Sequence, residues 1–253
     1  MTIAILQARM SSSRLPGKVL REINGKPMIY WQLKRIHQAK NLDKVIVATS
    51  IDTTDDPLVD FLKSEEILYV RGSLNNVKER FDQVITQFPS DSFVRLTGDC
   101  PLVMPNLIDE LIDAFHLANV DYLSNTIKPT YPDGLDIEVV KSEAFEKLNK
   151  TALSKAEMEH VTYGLYSRSG QFKSQNYLNS QDLSNLRWTV DYQEDLDFIS
   201  VIFSHFKGRE DSFNFNELMD HLSAHTELKS KIDANRRNES LIAMLKEEGN
   251  SYE

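Results

Sequence analysis

The sequence predicts a three-layer α/β fold, in which a mostly parallel, twisted sheet carries helices on both faces. Short apolar runs of strand length alternate with stretches whose apolar residues recur at helical spacing. That alternation implies parallel strands joined by right-handed crossovers. The first runs are continuously apolar, which favours strands buried on both faces. A chain of 253 residues fits one such domain with a substantial core.

The first strand, residues 3–8, leads directly into a basic loop. In open α/β sheets, ligands bind just outside the carboxyl ends of the strands, where this loop begins. The cations Arg9, Arg14 and Lys18 flank three serines at 11–13, and a Pro-Gly pair allows a tight turn. Single lysines and arginines are usually surface charges, but three in ten residues within such a loop indicate a polyphosphate site.

The first half of the chain continues this alternation. Strands are predicted at 45–48, 67–70, 93–96 and near 122–123, because these runs are short and apolar. Amphipathic spacing predicts helices over 29–36, 58–62, 77–88 and 107–115. An acidic turn at 52–56 ends in Asp56-Pro57, a combination that suits a helix start with the acid as N-cap.

The second half is less regular. Residues 135–140 alternate apolar side chains with Asp136 and Glu138, which predicts a half-exposed strand at or beside the sheet edge, its acids facing a cleft. Weaker strand patterns occupy 172–178 and 186–190. Helices are predicted over 143–149, 157–167, 194–206 and 213–222, the last capped by Asn214. We expect one domain over 1–225, followed by a peripheral helix and frayed tail over 226–253.

Composition excludes several classes of protein. Against 38 acidic residues there are 29 basic ones, so the net charge is −9, which argues against nucleic acid or an anionic membrane as the partner. Cys100 is the single cysteine, which fits a reducing compartment. No leader precedes the first strand, and no run approaches the ~18 apolar residues of a membrane span. A soluble cytoplasmic protein is expected.

Five sequence blocks carry a family resemblance. The loop is neither a Walker loop nor a Gly-x-Gly-x-x-Gly fingerprint. It reads Ala-Arg-Met-Ser-Ser-Ser-Arg-Leu-Pro-Gly-Lys over 8–18, and further blocks lie at 97–102, 132–138, 159–162 and 187–191. Together these blocks resemble the CTP-dependent sugar cytidylyltransferases, which make CMP-activated acidic sugars, and within that family the spore-coat-polysaccharide type.

The resemblance implies a function and a set of residues. It implies a Rossmann-like fold of the nucleotide-diphospho-sugar transferase type and an enzyme that transfers CMP from CTP to a sugar, releasing pyrophosphate for surface polysaccharide or glycan biosynthesis. Arg14, Lys18 and Asp99 would be catalytic. The residues expected to bind the nucleotide are Ala8, Arg9, Ser11, Ser13, Arg14, Lys18 and Arg71. A homodimer is a further expectation.

Two aspartates are expected to hold Mg²⁺. Asp99 follows the fourth strand at the edge where the basic loop lies, and the resemblance makes it a metal ligand. Asp191 likewise follows the strand predicted at 186–190, and Mg²⁺ usually takes one or two protein carboxylates. The alternative for both is a helix cap. Asp195 is interpreted as a solvated acid in the first turn of a helix.

A second cluster falls where the family binds its acceptor. Asp133, Asp136, Glu138 and His160, with Glu159 nearby, could bond sugar hydroxyls or deprotonate the attacking one. Alternatively, Asp133 only shapes a turn and His160 is a partly buried imidazole with its own partners. Neither Cys100, which lacks an evident base, nor Arg80, expected on an exposed helix face, receives a role.

Two other functions stay open. A nucleotide-sugar glycosyltransferase would have a similar fold, but such enzymes generally carry an Asp-x-Asp motif, whereas Asp99 is followed by Cys-Pro. A non-catalytic nucleotide sensor is the third hypothesis. Retention of Arg14, Lys18, Asp99 and Asp191 counts against it.

Overall fold

The computed structural model describes residues 1–168, 170–229, 237 and 239–249. The first half comprises β1 (Thr2–Gln7), β2 (Glu22–Ile23), β3 (Lys26–Pro27), α1 (Met28–Ile36), β4 (Lys44–Ser50), α2 (Asp56–Ser64), β5 (Leu68–Gly72), α3 (Val77–Gln87), β6 (Ser92–Thr97) and α4 (Pro105–Ala118). The second half comprises β7 (Tyr122–Ser124), β8 (Glu138–Lys141), α5 (Ser142–Asn149), α6 (Lys155–Glu159), α7 (Tyr163–Ser167), β9 (Ser174–Asn176), α8 (Gln193–His205), α9 (Phe215–Ala224), α10 (Thr226–Lys229) and α11 (Glu239–Glu247).

Seven of the strands form one sheet, in the order β5-β4-β1-β6-β8-β7-β9. The β5, β4, β1 and β6 strands are parallel, and β9 is parallel to β7. Only β8 reverses direction, running antiparallel to both of its neighbours. The predicted mostly parallel sheet is therefore confirmed, and the carboxyl ends of β1, β4, β5 and β6 meet at one edge.

Both faces of the sheet are covered. Along β1, Ile3 and Ile5 pack into one apolar cluster with α3, whereas Ala4 and Leu6 pack into the other with α1. All four side chains are fully buried. Because successive side chains of a strand point to opposite faces, a continuously apolar strand requires a layer on each side, as the sequence predicts.

The acidic strand lies in a different place from the prediction. Regular pairing begins only at Glu138, and β8 lies inside the sheet between β6 and β7 rather than at its edge. Glu138 is buried there. The register of the sheet places Glu138 opposite Arg95 of β6, and the two side chains form an ion pair. A buried acid is tolerated when its charge is paired.

The strand predicted over 186–190 does not form. Arg187 makes a single bridge to Asp133, and the Val190 N–H donates to the Asp99 carbonyl (2.8 Å). The backbone of this buried segment thus bonds to two different loops instead of one strand.

Helix ends were predicted with mixed success. The helix predicted over 157–167 is split into α6 and α7, and α2 contains Asp56 as its first residue rather than as its cap. The predicted Asn214 cap is confirmed, since its side chain accepts from the Glu217 N–H (3.0 Å). Of the helix and tail predicted over 226–253, residues 230–236, 238 and 250–253 lie outside the described residues.

Candidate active site

The basic loop after β1 is a compact turn. The Gly17 N–H donates to the Met10 carbonyl (2.9 Å), which closes the loop on itself. Gly17 has φ +71°, a left-handed conformation that glycine adopts without steric cost. Lys18 then begins a short 3₁₀ helix, Lys18–Leu20, and its side chain is buried.

A buried aspartate ties this loop to the neighbouring strand. The Asp55 carboxylate accepts from the Met10 N–H (2.6 Å), and its other oxygen accepts from the Ser50 N–H (2.9 Å) and the Thr49 hydroxyl (3.0 Å). Sequence reasoning placed Asp55 in an acidic turn and gave it no role. Its full burial is a tertiary property, since it results from the approach of the loop to the end of β4.

Lys18 joins the two candidate metal ligands. Its ammonium group donates to Asp99 (3.1 Å), Asp191 (2.9 Å) and the Val190 carbonyl (2.7 Å). Burial alone would lower the pKa of Lys18, but the two carboxylates outweigh burial and raise it. Burial would likewise raise the pKa of Asp99, yet the Lys18 charge and hydrogen bonds from Thr97 and Lys18 lower it to about 2. Both groups are therefore charged at neutral pH.

Asp191 is the most heavily paired acid of the site. Arg14 (3.0 Å), Lys18 (2.9 Å) and Arg187 (2.9 Å) all approach its carboxylate. Asp195 accepts from the Asp191 N–H (2.8 Å) and from Arg187 (3.3 Å). Asp195 is thus a half-buried supporting group rather than the solvated acid that the sequence predicts, because Arg187 folds back onto the start of α8.

Two cavities meet at these aspartates. The loop cavity is lined by residues 7–9, 12–14, 18–19, 97–99 and 191. The acidic cavity is lined by residues 14, 95, 97, 99–100, 126, 133, 136, 138, 160, 162–163, 166, 187, 189, 191 and 241. They share Arg14, Thr97, Asp99 and Asp191. A ligand in one cavity would therefore lie beside a ligand in the other at the two carboxylates.

Most of the predicted residues line these cavities, but three do not. Ala8, Arg9, Ser13, Arg14 and Lys18 line the loop cavity. Ser11, Arg71 and Glu159 line neither cavity. Arg71 donates instead to the Ser50 (2.8 Å) and Asp52 (2.9 Å) carbonyls and pairs with Asp56 (2.8 Å), so it braces the loop after β4.

The structure also corrects the prediction that Arg80 is an exposed helix residue. It is fully buried on α3, and its three guanidinium nitrogens make no hydrogen bond within the described part of the chain. Burial lowers the pKa of Arg80, and the nearby charge of Arg9 adds to that effect. The helical pattern alone gave no sign that α3 turns this face toward the end of β5 (Gly72), where a Cβ would lie 2.7 Å from the Arg80 side chain.

Glu138 anchors one wall of the acidic cavity. Its carboxylate accepts from Arg95, from the Tyr122 hydroxyl (2.7 Å) and from the Thr162 hydroxyl. Three protein donors therefore occupy a carboxylate that was predicted to bind substrate. Arg95, Tyr122 and Thr162 were not among the predicted residues, because their meeting depends on sheet order.

His160 faces the same cavity as a neutral imidazole. Its Nε2 atom is buried and has no hydrogen-bond partner in the described ranges. Burial lowers the pKa of His160 to about 4, with the Arg95 charge adding to the effect and Glu138 opposing it. The ring therefore carries no charge near pH 7 and has one nitrogen that can accept a hydrogen bond.

Asp133 both shapes a turn and faces the cavity. Its carbonyl accepts from the Trp188 N–H (2.5 Å), while its carboxylate accepts from Arg187 (3.0 Å). The next residue, Gly134, has φ +106°, and a Cβ there would lie 2.6 Å from the Trp188 carbonyl carbon. Only glycine fits this crossing of two backbones. Arg187 thereby connects Asp133 with Asp191 across the site.

Asp136 is the acid of the cavity with the most perturbed ionisation. Burial raises the pKa of Asp136 to about 7, whereas the charge of Arg237 lowers it and that of Asp133 raises it. Arg237 donates to its carboxylate and to the Tyr131 carbonyl (3.2 Å). An acid that is half ionised near neutral pH is suited to proton exchange with a ligand.

Cys100 stays a neutral thiol beside Asp99. Burial and the Asp99 charge raise the pKa of Cys100 well above its ordinary value. A nucleophilic thiolate is therefore disfavoured, in line with the absence of a base in the sequence around it.

The donor set suits a hard divalent cation. Asp99 and Asp191 converge on one point, where the Lys18 ammonium now lies, and both are charged carboxylates. Within the described ranges no group of three or more His, Cys, Asp or Glu is arranged to hold a metal. Two carboxylates suffice for Mg²⁺ when a bound polyphosphate and water complete its shell.

No described helix is long and apolar enough to cross a membrane.

Comparisons with known proteins point to one family. A family model described as cytidylyltransferase matches residues 3–229. An uncharacterized protein of Methanocaldococcus jannaschii is 33% identical over 247 residues, covering 94% of this chain and 96% of that protein. The Bacillus subtilis spore coat polysaccharide biosynthesis protein SpsF is 32% identical over 215 residues, covering 82% of this chain and 88% of SpsF.

Two further matches extend this set. The 3-deoxy-manno-octulosonate cytidylyltransferase of Sodalis glossinidius is 40% identical over 116 residues, 44% of each chain. The structure of a cytidylyltransferase from Leptospira borgpetersenii superposes with a TM-score of 0.85 at 28% identity, covering 90% of this chain and 96% of that one.

Proposed function

Because this chain belongs to the cytidylyltransferase family, we propose that it transfers CMP from CTP to a sugar acid and releases pyrophosphate. The observation that carries the proposal is the meeting of the loop cavity and the acidic cavity at Asp99 and Asp191, two carboxylates that the Lys18 ammonium joins. A triphosphate in the first cavity and a sugar in the second would react at that junction. Family membership favours this hypothesis over the glycosyltransferase and the non-catalytic sensor.

The loop cavity is suited to the triphosphate. Arg9, Arg14 and Lys18 bring three positive charges to it, and the small residues Ser12 and Ser13 line it beside them. Lys18 would exchange its bonds to the carboxylates for bonds to phosphate. These cations would neutralise the charge that develops on the departing pyrophosphate.

Asp99 and Asp191 are the residues that would hold Mg²⁺. Bound there, the ion would neutralise phosphate charge and align the α-phosphoryl group. Such a reaction depends on alignment and charge, and needs no covalent intermediate. The acceptor oxygen would bond to the α-phosphorus as the α–β phosphoanhydride bond breaks, and the hydroxyl proton would pass to a base.

The acidic cavity would hold the acceptor. Its hydroxyls, carboxylates and neutral imidazole can bond the hydroxyl groups of a sugar. The Sodalis relative is named for an acidic sugar and the Bacillus relative for polysaccharide biosynthesis, which supports a sugar acid destined for a surface glycan. A cytoplasmic location and a homodimer belong to the same proposal, the first supported by the single cysteine.

Calorimetry with Mg²⁺ and CTP, UTP or a UDP-sugar tests the nucleotide half of this proposal, and pyrophosphate release with 3-deoxy-manno-octulosonate as probe tests the acceptor half. We expect a preference for CTP, and a loss of turnover of about 100-fold or more in Asp99→Asn. Asp60→Asn is the matched control, because Asp60 is an exposed acid on α2 with a 3.8 Å ion pair. A preference for the UDP-sugar, or full turnover in Asp99→Asn, would contradict the proposal.

A further inference from the structure

An arginine from beyond the part of the chain that the family model matches pairs with an acid of the acidic cavity. That match ends at residue 229. Arg237 nevertheless donates to the Asp136 carboxylate and to the Tyr131 carbonyl (3.2 Å). Its side chain is only 12% exposed, and its Nε atom is buried with no hydrogen-bond partner in the described ranges. A surface arginine would not be held in this way.

Asp136 stands between this arginine and the cavity. Its side chain lines the acidic cavity and keeps 28% of its surface exposed there. Arg237 pairs with it but does not line the cavity. A ligand in the cavity would therefore touch Asp136, while Arg237 would act on that ligand only through Asp136.

Helix α11, which begins two residues after Arg237, packs next to the same cavity. Its Leu241 and Leu245 are buried against Ala156 of α6, and Leu241 also lines the cavity. The Glu248 side chain accepts from the Ala156 N–H (3.0 Å). Since α6 leads to His160, the helix that follows Arg237 also supports the wall that carries the neutral imidazole.

We propose that Arg237 is a positioning residue for the acceptor, which favours the charged form of Asp136 and directs its carboxylate into the acidic cavity, where it accepts hydrogen bonds from the acceptor sugar. This inference rests on the proposed function, because it assigns the acceptor to that cavity. It places one determinant of acceptor recognition outside residues 3–229, the part of the chain that the family model matches. Asp136 is the group that contacts the substrate.

The charged groups around Asp136 explain why its carboxylate needs the ion pair with Arg237 to stay charged. Asp133, Glu138 and Asp99 all face it and favour its neutral form, as burial does, whereas Arg237 favours the charged form. The other cations nearby already have partners, because Arg187 pairs with Asp133 and Arg95 pairs with Glu138. The Cys100 thiol and the His160 ring carry no charge near pH 7. Without Arg237, a buried carboxylate among three acids would bind a proton at neutral pH.

The test compares the parent with Arg237→Gln and Arg237→Lys across pH. Pyrophosphate release is measured with Mg²⁺, CTP and 3-deoxy-manno-octulosonate as the probe acceptor. In Arg237→Gln we expect kcat/KM for the acceptor to fall about five-fold at pH 7 if the pKa of Asp136 rises by one unit, and its pH profile to move to higher pH. The KM for CTP should stay unchanged, and Arg237→Lys should restore part of the loss.

Arg209→Gln is the matched control, since Arg209 forms an exposed ion pair with Glu217 away from both cavities. A ¹³C titration of the Asp136 carboxyl accompanies the kinetics and needs no acceptor. The inference is overturned if Asp136 titrates at the same pH in the parent and in Arg237→Gln, or if the acceptor pH profile does not move. Failure of the proposed function looks different, because the parent would then bind no CTP while the titration still decides the role of Arg237.

Discussion

Lys18 occupies the position where a divalent ion would neutralise Asp99 and Asp191. Its ammonium lies within 3.1 Å of both carboxylates and makes a further bond to the Val190 carbonyl. Without that charge, two partly buried acids would face each other, which is unfavourable in a region of low dielectric constant. The unliganded site is therefore stabilised by the residue that is proposed to bind the triphosphate.

Replacing Lys18 should reveal the metal site without any measurement of activity. We expect Lys18→Gln to lower the free energy of unfolding by about 2–4 kcal/mol. Millimolar Mg²⁺ should restore part of this loss, because the ion can take the place of the ammonium. Thermal unfolding with and without Mg²⁺ measures both effects.

Lys63→Gln is the control for that experiment, since Lys63 pairs with Asp60 on the surface at 3.8 Å and should contribute at most about 1 kcal/mol. An equal Mg²⁺ effect on the parent, the control and Lys18→Gln would argue against a metal held by Asp99 and Asp191.

His160 makes stability depend on pH in a defined direction. The pKa of His160 is about 4 in the folded chain, below its ordinary value of 6.5. The unfolded chain therefore binds a proton first as the pH falls. The stability that the neutral ring contributes is complete above pH 6.5 and is lost as the pH falls toward 4.

Unfolding free energies of the parent and His160→Gln at pH 7.5 and pH 5 test this. We expect the difference, parent minus variant, to fall by about 2 kcal/mol at the lower pH. Asp136, whose raised pKa has the opposite effect in this range, is present in both proteins and cancels. A difference that is constant with pH would show that the imidazole is not shielded from protonation.

At the scale of elements, the turn around Gly134 joins the segment that carries the acceptor-side acids to the segment that carries Arg187 and Asp191. Asp133 bonds to the backbone on either side of Arg187, through the Leu186 carbonyl and the Trp188 N–H. Gly134 permits this contact because it has φ +106° and no Cβ. The placement of Asp133 therefore depends on a backbone crossing rather than on a strand.

Gly134→Ala should disturb that crossing. We expect a loss of about 2–4 kcal/mol in unfolding free energy, since the added Cβ meets backbone at 2.6 Å in a conformation that alanine disfavours. Gly25→Ala is the matched control, with φ +76° and no atom within 4 Å of the added Cβ, and should cost only about 1 kcal/mol. Chemical denaturation measures both, and equal losses would mean that the crossing is not tight.

At the scale of the whole molecule, sheet order assembles the site. The loop after β1, Asp55 after β4 and Asp99 after β6 meet because these parallel strands end at one edge. Asp191 reaches them from a segment without regular strand pairing, and Arg237 from beyond α10. A chain of net charge −9 thus concentrates three cations where a polyphosphate would lie.

The sequence by itself determined the layered fold, the first loop and the place of Asp99 just after β6. Apolar runs and helical spacing are local patterns, and the edge at which parallel strands end follows from their order in the chain. Those features need no knowledge of which side chains meet. The sequence alone therefore places the cations of the loop and Asp99 at one edge of the sheet.

Only the tertiary structure decided which acids are paired and which face a cavity. Asp55 and Arg80 are buried, Glu138 is saturated by Arg95, Tyr122 and Thr162, and Asp136 is held by Arg237. Each of these environments is made by residues far away in the sequence. Burial and pairing set the charge of a carboxylate, and both depend on the partners that folding brings together, which no local pattern records.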